Sequence, residues 1–232
     1  MEGILSLAQL YPFNDPVVTE RTPPLQIESG EGILVRDTSG RAYIDAVSAL
    51  WCSSLGFTPE RLTRVMAEQM GKLAYYHSFM GRTSALSDQL AKRLVARMPG
   101  MARVIFGTSG SDAVESAAKI VRYYWAAKGH GDRQRIIARE GAYHGSGQVS
   151  AALTGLDYCH TGFSVPLSSV VRTGRPHYLR DAEPGETEVA FSKRRARELE
   201  ELIQQEDPGT IGAFIGEPAM GAGGVILPPD GY

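Results

Sequence analysis

Cysteine is scarce in this sequence. Its 232 residues include two, Cys52 and Cys159, with no CxxC pair, which excludes a disulfide framework and a zinc ribbon. Cys159 is followed by His160, but no companion ligand stands at metal-binding spacing, so no metal is expected. Excess charge is also missing: 24 Lys and Arg against 26 Asp and Glu leave −2, too little to draw the chain to nucleic acid or an anionic membrane. No apolar run approaches the roughly 18 residues a membrane helix needs. The first ten residues, MEGILSLAQL, carry no basic residue and only a short apolar stretch, unlike an export signal. These absences predict a cytoplasmic, reducing location. Neither GxxxxGK[ST] nor GxGxxG occurs, which removes both common nucleotide-phosphate loops. Internal repeats and low-complexity segments are absent too.

What is present alternates between strand and helix. Gly32–Arg36 and Arg41–Asp45 flank Asp37-Thr38-Ser39-Gly40 and predict a hairpin. A helix is expected after Thr58-Pro59, with Leu62, Val65, Met66 and Leu73 inward. Another is expected from Ser84 to Met98, with Leu86, Leu90, Leu94 and Val95 inward, stopped by Pro99-Gly100. Arg103-Val104-Ile105-Phe106 predicts a short buried strand. The apolar spacing of Val114, Ala117, Ala118, Val121 and Trp125 then predicts a helix. Ile136–Ala138, Ser169–Val171 and Ile211–Ile215 read as further buried strands, and 173–187 as a loop. In the run Ser192–Arg197, Arg194/Glu198 and Arg197/Glu201 stand one helical turn apart, which predicts a solvated helix face. Strands alternating with helices imply an α/β fold with a mostly parallel, two-sided sheet.

Ligands collect at the carboxyl ends of parallel strands, where three loops are informative. Thr108-Ser109-Gly110-Ser111-Asp112 opens a helix and could form a nest of amides for an anion. It could equally be a plain capped start, with Asp112 as N-cap and Glu115 closing a capping box. Tyr143-His144-Gly145-Ser146 could lay a ring over a flat ligand, or hold a half-buried tyrosine. Glu217-Pro218 could position a ligand or be a solvated strand end.

Together these blocks resemble the class III aminotransferases, pyridoxal-phosphate enzymes of fold type I, in particular the ω-amino acid:pyruvate transaminase branch. The matching pieces are Ala49–Cys52, Tyr75–Phe79, Thr108–Asp112, Lys119–Trp125, Gly141–Ser146, Leu153–Gly155 and Gly216–Tyr232, in order along nearly the whole chain. The resemblance implies a three-layer αβα large domain, incomplete, over 58–232. Residues 1–57 would belong to the small domain and carry the hairpin. It implies that Ser109, Gly110 and Ser111 bind the cofactor phosphate, that Tyr143 stacks on the pyridine with His144 beside it, and that Glu217 fixes the ring's surroundings. Trp51 and Phe79 would line the substrate pocket with Tyr143, Phe79 reaching into a partner subunit of a homodimer. Substrates would be an amine or ω-amino acid and a keto acid such as pyruvate. Asp112 stands where the family more often has Glu, and Val114 where Asn is common.

A transaminase also needs a Schiff-base lysine and an Asp against the pyridine nitrogen. In the family both lie beyond the Glu-Pro loop, so both are expected past Tyr232. Lys72, Lys92, Lys119, Lys128 and Lys193 all fall with helices or the charged run, and no catalytic lysine is assigned. Residues 1–232 alone are expected to be inactive and only partly ordered, with Val104–Phe106 missing neighbours from later sequence. An aminomutase or epimerase of the same family, and a non-catalytic phosphate-binding or dimerising remnant, are the alternatives.

Overall fold

A computed structural model describes residues 8–165 and 167–232. The chain divides into two compact units, Met1–Leu94 and Val95–Tyr232.

In the first unit, α1 (Pro16–Arg21) starts at Asp15, whose carboxylate accepts from the Val17 amide, with Pro at the head of the helix. Strands β1 (Ile27–Glu31), β2 (Leu34–Asp37) and β3 (Ala42–Ile44) form an antiparallel meander in that order. The anticipated hairpin is β2–β3. Asp37 organises its turn: Oδ1 accepts from the Ser39 amide at 2.9 Å, the Ser39 hydroxyl at 2.6 Å and the Arg41 amide at 3.0 Å. Its Oδ2 accepts from the Tyr43 hydroxyl at 2.8 Å. Strand β1 was not anticipated, because Glu28, Ser29 and Gly30 break the alternation; Gly30 is needed where Phe57 crosses, since a Cβ there would stand 2.8 Å from its ring. One turn follows, α2 (Ser48–Trp51), then α3 (Glu60–Lys72) and α4 (Ala85–Val95). Both long helices form where their period and the Pro59 start predict. Their apolar stripes are exposed rather than inward, at Leu62, Val65, Met66, Leu86 and Leu90.

The second unit is built on β4 (Arg135–Arg139), with β5 (Val170–Thr173) and β6 (Ile211–Phe214) parallel on either side in the order β5-β4-β6. Helices α5 (Gly110–Ala127), α6 (Gln148–Leu153), α7 (Tyr178–Asp181) and α8 (Glu188–Gln205) complete it. Residues alternate across β4. Ile136 and Ala138 pack with Ala118 of α5 and Leu153 of α6, while Ile137 packs with Val171 and Ile211 against Leu199, Leu202 and Ile203 of α8. Helices on both faces of a parallel sheet explain why β4 reads as a continuous apolar run. This is the three-layer αβα arrangement.

Three expectations need correction. Arg103–Phe106 is not a strand, and Ile105 and Phe106 are exposed; no described strand lies alongside to take its backbone hydrogen bonds, and a strand does not persist unpaired. The basic run is a solvated face only in part: Lys193 and Arg197 are exposed and the expected Arg194–Glu198 pair forms at 2.8 Å, but two arginines are drawn inward. Arg194 and Arg195 flank the fully buried Phe191 ring at 5.1 and 5.0 Å. Arg194 bonds Glu186 and Glu198, and Arg195 bonds Glu198. The segment 173–187 holds the short helix α7, fastened by the Arg175–Asp181 ion pair at 3.0 Å.

The four hydrogen bonds into Asp37 hold its carboxyl down at about 2, the Ser39 hydroxyl contributing most. A depressed carboxylate stabilises the hairpin fully above its ordinary value of 3.8 and loses that contribution as pH falls through about 2. Amide exchange at Ser39 and Arg41 is therefore expected to stay flat from pH 7 to 5, after correction for the intrinsic rate, and to rise below 4. Asp37→Ala should remove that pH dependence and raise exchange at every pH; an unchanged turn in the variant would contradict this account.

Candidate functional site

The second unit holds all three informative loops, two of them at the carboxyl ends of β4 and β6 and one at the start of α5. Residues 107–112 enter α5, residues 140–147 leave β4, and residues 215–224 leave β6.

The start of α5 differs from the capping box expected at Asp112. Ser109 is the N-cap, and its Oγ accepts from the Asp112 amide at 3.1 Å. Asp112 instead reaches back, Oδ2 accepting from the Thr108 amide at 3.0 Å. Ser109 won because its extended backbone frees its hydroxyl to turn onto the helix end. The Ala113 amide bonds the Ser109 carbonyl, so the amides left without an acceptor among the described residues are those of Gly110 and Ser111. A Cβ built on Gly110 meets nothing within 4 Å. The Ser111 hydroxyl oxygen accepts from the Ser146 amide at 3.1 Å and keeps its own proton to donate. That contact is close: a Cβ on Gly145, whose φ is +131°, would stand 2.6 Å from Ser111 Oγ.

The loop after β4 carries Tyr143, half exposed, and His144, buried. The Tyr143 amide donates to Glu217 Oε1 at 3.1 Å, and the Gly221 amide donates to Oε2 at 3.2 Å. Glu217 thus uses both oxygens to tie the β4 loop to the β6 loop. Beneath this tie, Ala142, Met220 and Ile226 form a small buried cluster that pins the same two loops. The His144 amide donates to the hydroxyl of buried Thr154 at 2.9 Å. Burial pushes the His144 imidazole below its ordinary value, opposed by the Glu217 carboxylate, so the ring is neutral at neutral pH. Its Nε2 is buried without a partner among the described residues.

Ser111 is therefore tied to the loop that carries Tyr143 and His144, and Tyr143 to Glu217, with Ser109 and Gly110 beside Ser111 at the start of α5. The chemistry of that donor set suits a phosphate at the α5 amides and a flat ring beside Tyr143. Trp51 and Phe79 belong to the first unit, and both are exposed. Trp51 ends a turn whose four residues all have φ between 48° and 66°, the left-handed region. The Asp45 carboxylate holds that turn by accepting from the amides of Val47 and Ala49. Every lysine lies on a helix or at its end: Lys72 on α3, Lys92 on α4, Lys119 on α5, Lys128 at its C-cap, and Lys193 on α8. None stands at a strand's carboxyl end.

Sequence reasoning gave no role to Arg139 or Arg172, read Glu115 only as a local cap, and met Thr154 only within a matching block. Arg139 ends β4, is buried, and donates to the Glu217 carbonyl. Arg172 of β5 donates to the carbonyls of Ala152, Leu153 and Thr154. Neither carries a motif; the one available signal was a charged residue closing an otherwise apolar strand.

Residues 17–232 match the family model for class III aminotransferases. The mitochondrial gamma-aminobutyrate transaminase 1 of Oryza sativa subsp. indica is 45% identical over 99% of this chain and 45% of its own length. The vanillin aminotransferase of Capsicum chinense is 46% identical over 90% of this chain and 46% of its own. Among solved structures, the omega transaminase of Pseudomonas jessenii in complex with PMP superposes with a TM-score of 0.94 at 43% identity, covering 97% of this chain and 50% of that one. The PMP-bound aminotransferase of Vibrio fluvialis gives 0.92 at 40% identity, with the same coverage of 97% and 50%. The chain spans about half the length of the curated relatives it matches. With a parallel αβα unit and a family-model match over residues 17–232, the chain belongs to the class III aminotransferase family.

Proposed function

We propose that this chain forms part of a pyridoxal-phosphate-dependent transaminase that moves an amino group between an amine or ω-amino acid and a keto acid such as pyruvate. The observation that carries the reading is the pair of amides at Gly110 and Ser111 without an acceptor among the described residues, with open space around the Gly110 Cα and a bond through Ser111 to the loop that holds Tyr143. A dianionic phosphate is the ligand those donors suit, with the helix start adding about 0.3–1 kcal/mol when exposed and up to about 2 when partly buried. The hydroxyls of Ser109 and Ser111 add donors. Tyr143 covers the ring, at a height set by the bond from its amide to Glu217. His144, neutral and with Nε2 free, offers one hydrogen bond without adding charge. Bound there, the cofactor supplies the electron sink that amino-group transfer requires, while the chain supplies grip, orientation and electrostatics.

Trp51 and Phe79 are assigned to the substrate pocket, Phe79 across the interface of a homodimer. None of the five lysines is assigned as the Schiff-base lysine, because each lies on a helix or at its end. Residues 1–57 are assigned to the small domain and 58–232 to the large one. No described helix is long and apolar enough to cross a membrane. The unpaired Cys52 and Cys159 fit a reducing compartment, with the cytoplasm proposed.

Two outcomes are expected in the complete encoded chain. Gly110→Ala should leave the apo protein's thermal midpoint unchanged or slightly higher, since Ala is the better helix former by up to about 1 kcal/mol. Its methyl group would nevertheless fill the space over the amides and weaken pyridoxamine phosphate binding by about tenfold or more; unaltered affinity by calorimetry would refute the phosphate assignment. Tyr143→Phe should bind within about threefold of wild type, whereas Tyr143→Ala should lose at least about 1 kcal/mol, roughly fivefold, in ring affinity. Equal behaviour of the two variants would remove Tyr143 from the ring's face.

A further inference from the structure

Helix α6 is closely confined. Ser150, Ala151, Ala152 and Leu153 are all buried, and so is Thr154 just past its end. Its six residues are too few to be stable on their own, so its ends must be held from outside. The N-terminal end is held by one atom. Glu115 Oε1 accepts from the Val149 amide at 2.8 Å, the Ser150 amide at 2.8 Å and the Ser150 hydroxyl at 3.0 Å. Arg172 holds the other end through three carbonyls. An acid at the amide end and a base at the carbonyl end both complement the helix dipole.

Glu115 lies one helical turn after Ser111 on the same face of α5. The two residues make parallel ties to the segment that follows Tyr143: Ser111 to the Ser146 amide, Glu115 to the start of α6. The approach is so close that a Cβ on Gly147 would stand 2.5 Å from Glu115 Oε1. Thr154, at the far end of α6, accepts from the His144 amide, so the helix braces the loop at both ends. The amides of Gly110 and Ser111 ride on α5, and the Tyr143 ring rides on the loop fastened to α6. Something must fix the distance between them.

We propose that Glu115 is a positioning residue for cofactor binding: it sets the spacing between the phosphate-gripping amides of α5 and the ring-covering Tyr143. The proposal rests on the reading of the site given above. A ligand held at two points gains from both at once only when their separation matches its length. Loosening Glu115 leaves each grip intact and misaligns the pair. The effect belongs to geometry rather than charge, because all three bonds fall on one oxygen that a glutamine carbonyl can replace.

The test compares three probes on the complete encoded chain: pyridoxamine phosphate, which spans both grips, and pyridoxamine and inorganic phosphate, which each use one. Glu115→Ala should weaken pyridoxamine phosphate by roughly 10- to 100-fold, because its two grips no longer engage together. It should leave the two short probes within about twofold, and Glu115→Gln should restore the long probe to within about fivefold of wild type. Equal losses for all three probes would overturn the proposal by making Glu115 a general support of the fold. So would an unaffected long probe, or a glutamine variant as weak as alanine. Wild-type protein that binds none of the three would instead refute the cofactor reading itself.

Discussion

Two amides with no acceptor among the described residues stand at the head of an 18-residue helix, and the rest of the candidate site lies around them. An α-helix begins with donors its own backbone cannot satisfy. Here Ser109 Oγ takes the Asp112 amide and the Ser109 carbonyl takes that of Ala113, which leaves the Gly110 and Ser111 amides without an acceptor among the described residues. Such groups are tolerable in water and become strong anion donors once water is excluded, because a charge-assisted hydrogen bond is roughly twice as strong as a neutral one. In the proposed site the anion's donors are therefore backbone groups, and side chains decide what else that anion must carry.

Those side chains act mostly by fastening loops to one another. Ser111 binds the β4 loop to α5, Glu217 binds it to the β6 loop, and Ala142, Met220 and Ile226 close the space below. Arg139 fixes Glu217 from behind by donating to its carbonyl. Loop surfaces tied at several points lose little further freedom when a ligand arrives, which favours tight binding of a rigid, planar molecule. The neutral state of His144 follows from the same packing, since burial disfavours the imidazolium more than the Glu217 carboxylate favours it.

Much of this was legible in the residues. The apolar runs Ile136–Ala138 and Ile211–Ile215 and the 3.6-residue period after Gly110 determine strands and helix almost alone, because each buries a face that no other conformation would bury. The loops Ser109–Ser111, Tyr143–His144 and Glu217 stood out because small residues, a ring and a carboxylate sat at strand ends. Other features depend on contacts distant in sequence. Glu115 reads as a local cap until α6, more than thirty residues on, presents its amides. Arg194 and Arg195 read as a solvated face until Glu186 and the Phe191 ring give them partners. Ile105 and Phe106 have the composition of a strand and lack the neighbour that would make them one. Pattern reports what a segment can bury, and only the fold reports against what.

The most direct measurement is a crystal structure of the complete encoded chain grown with pyridoxamine phosphate. The account predicts phosphate oxygens at hydrogen-bond distance, about 2.9 Å, from the amide nitrogens of Gly110 and Ser111, with the Tyr143 ring lying over the pyridine. A phosphate bound elsewhere, or those two amides turned onto protein carbonyls while the ligand is in place, would contradict it.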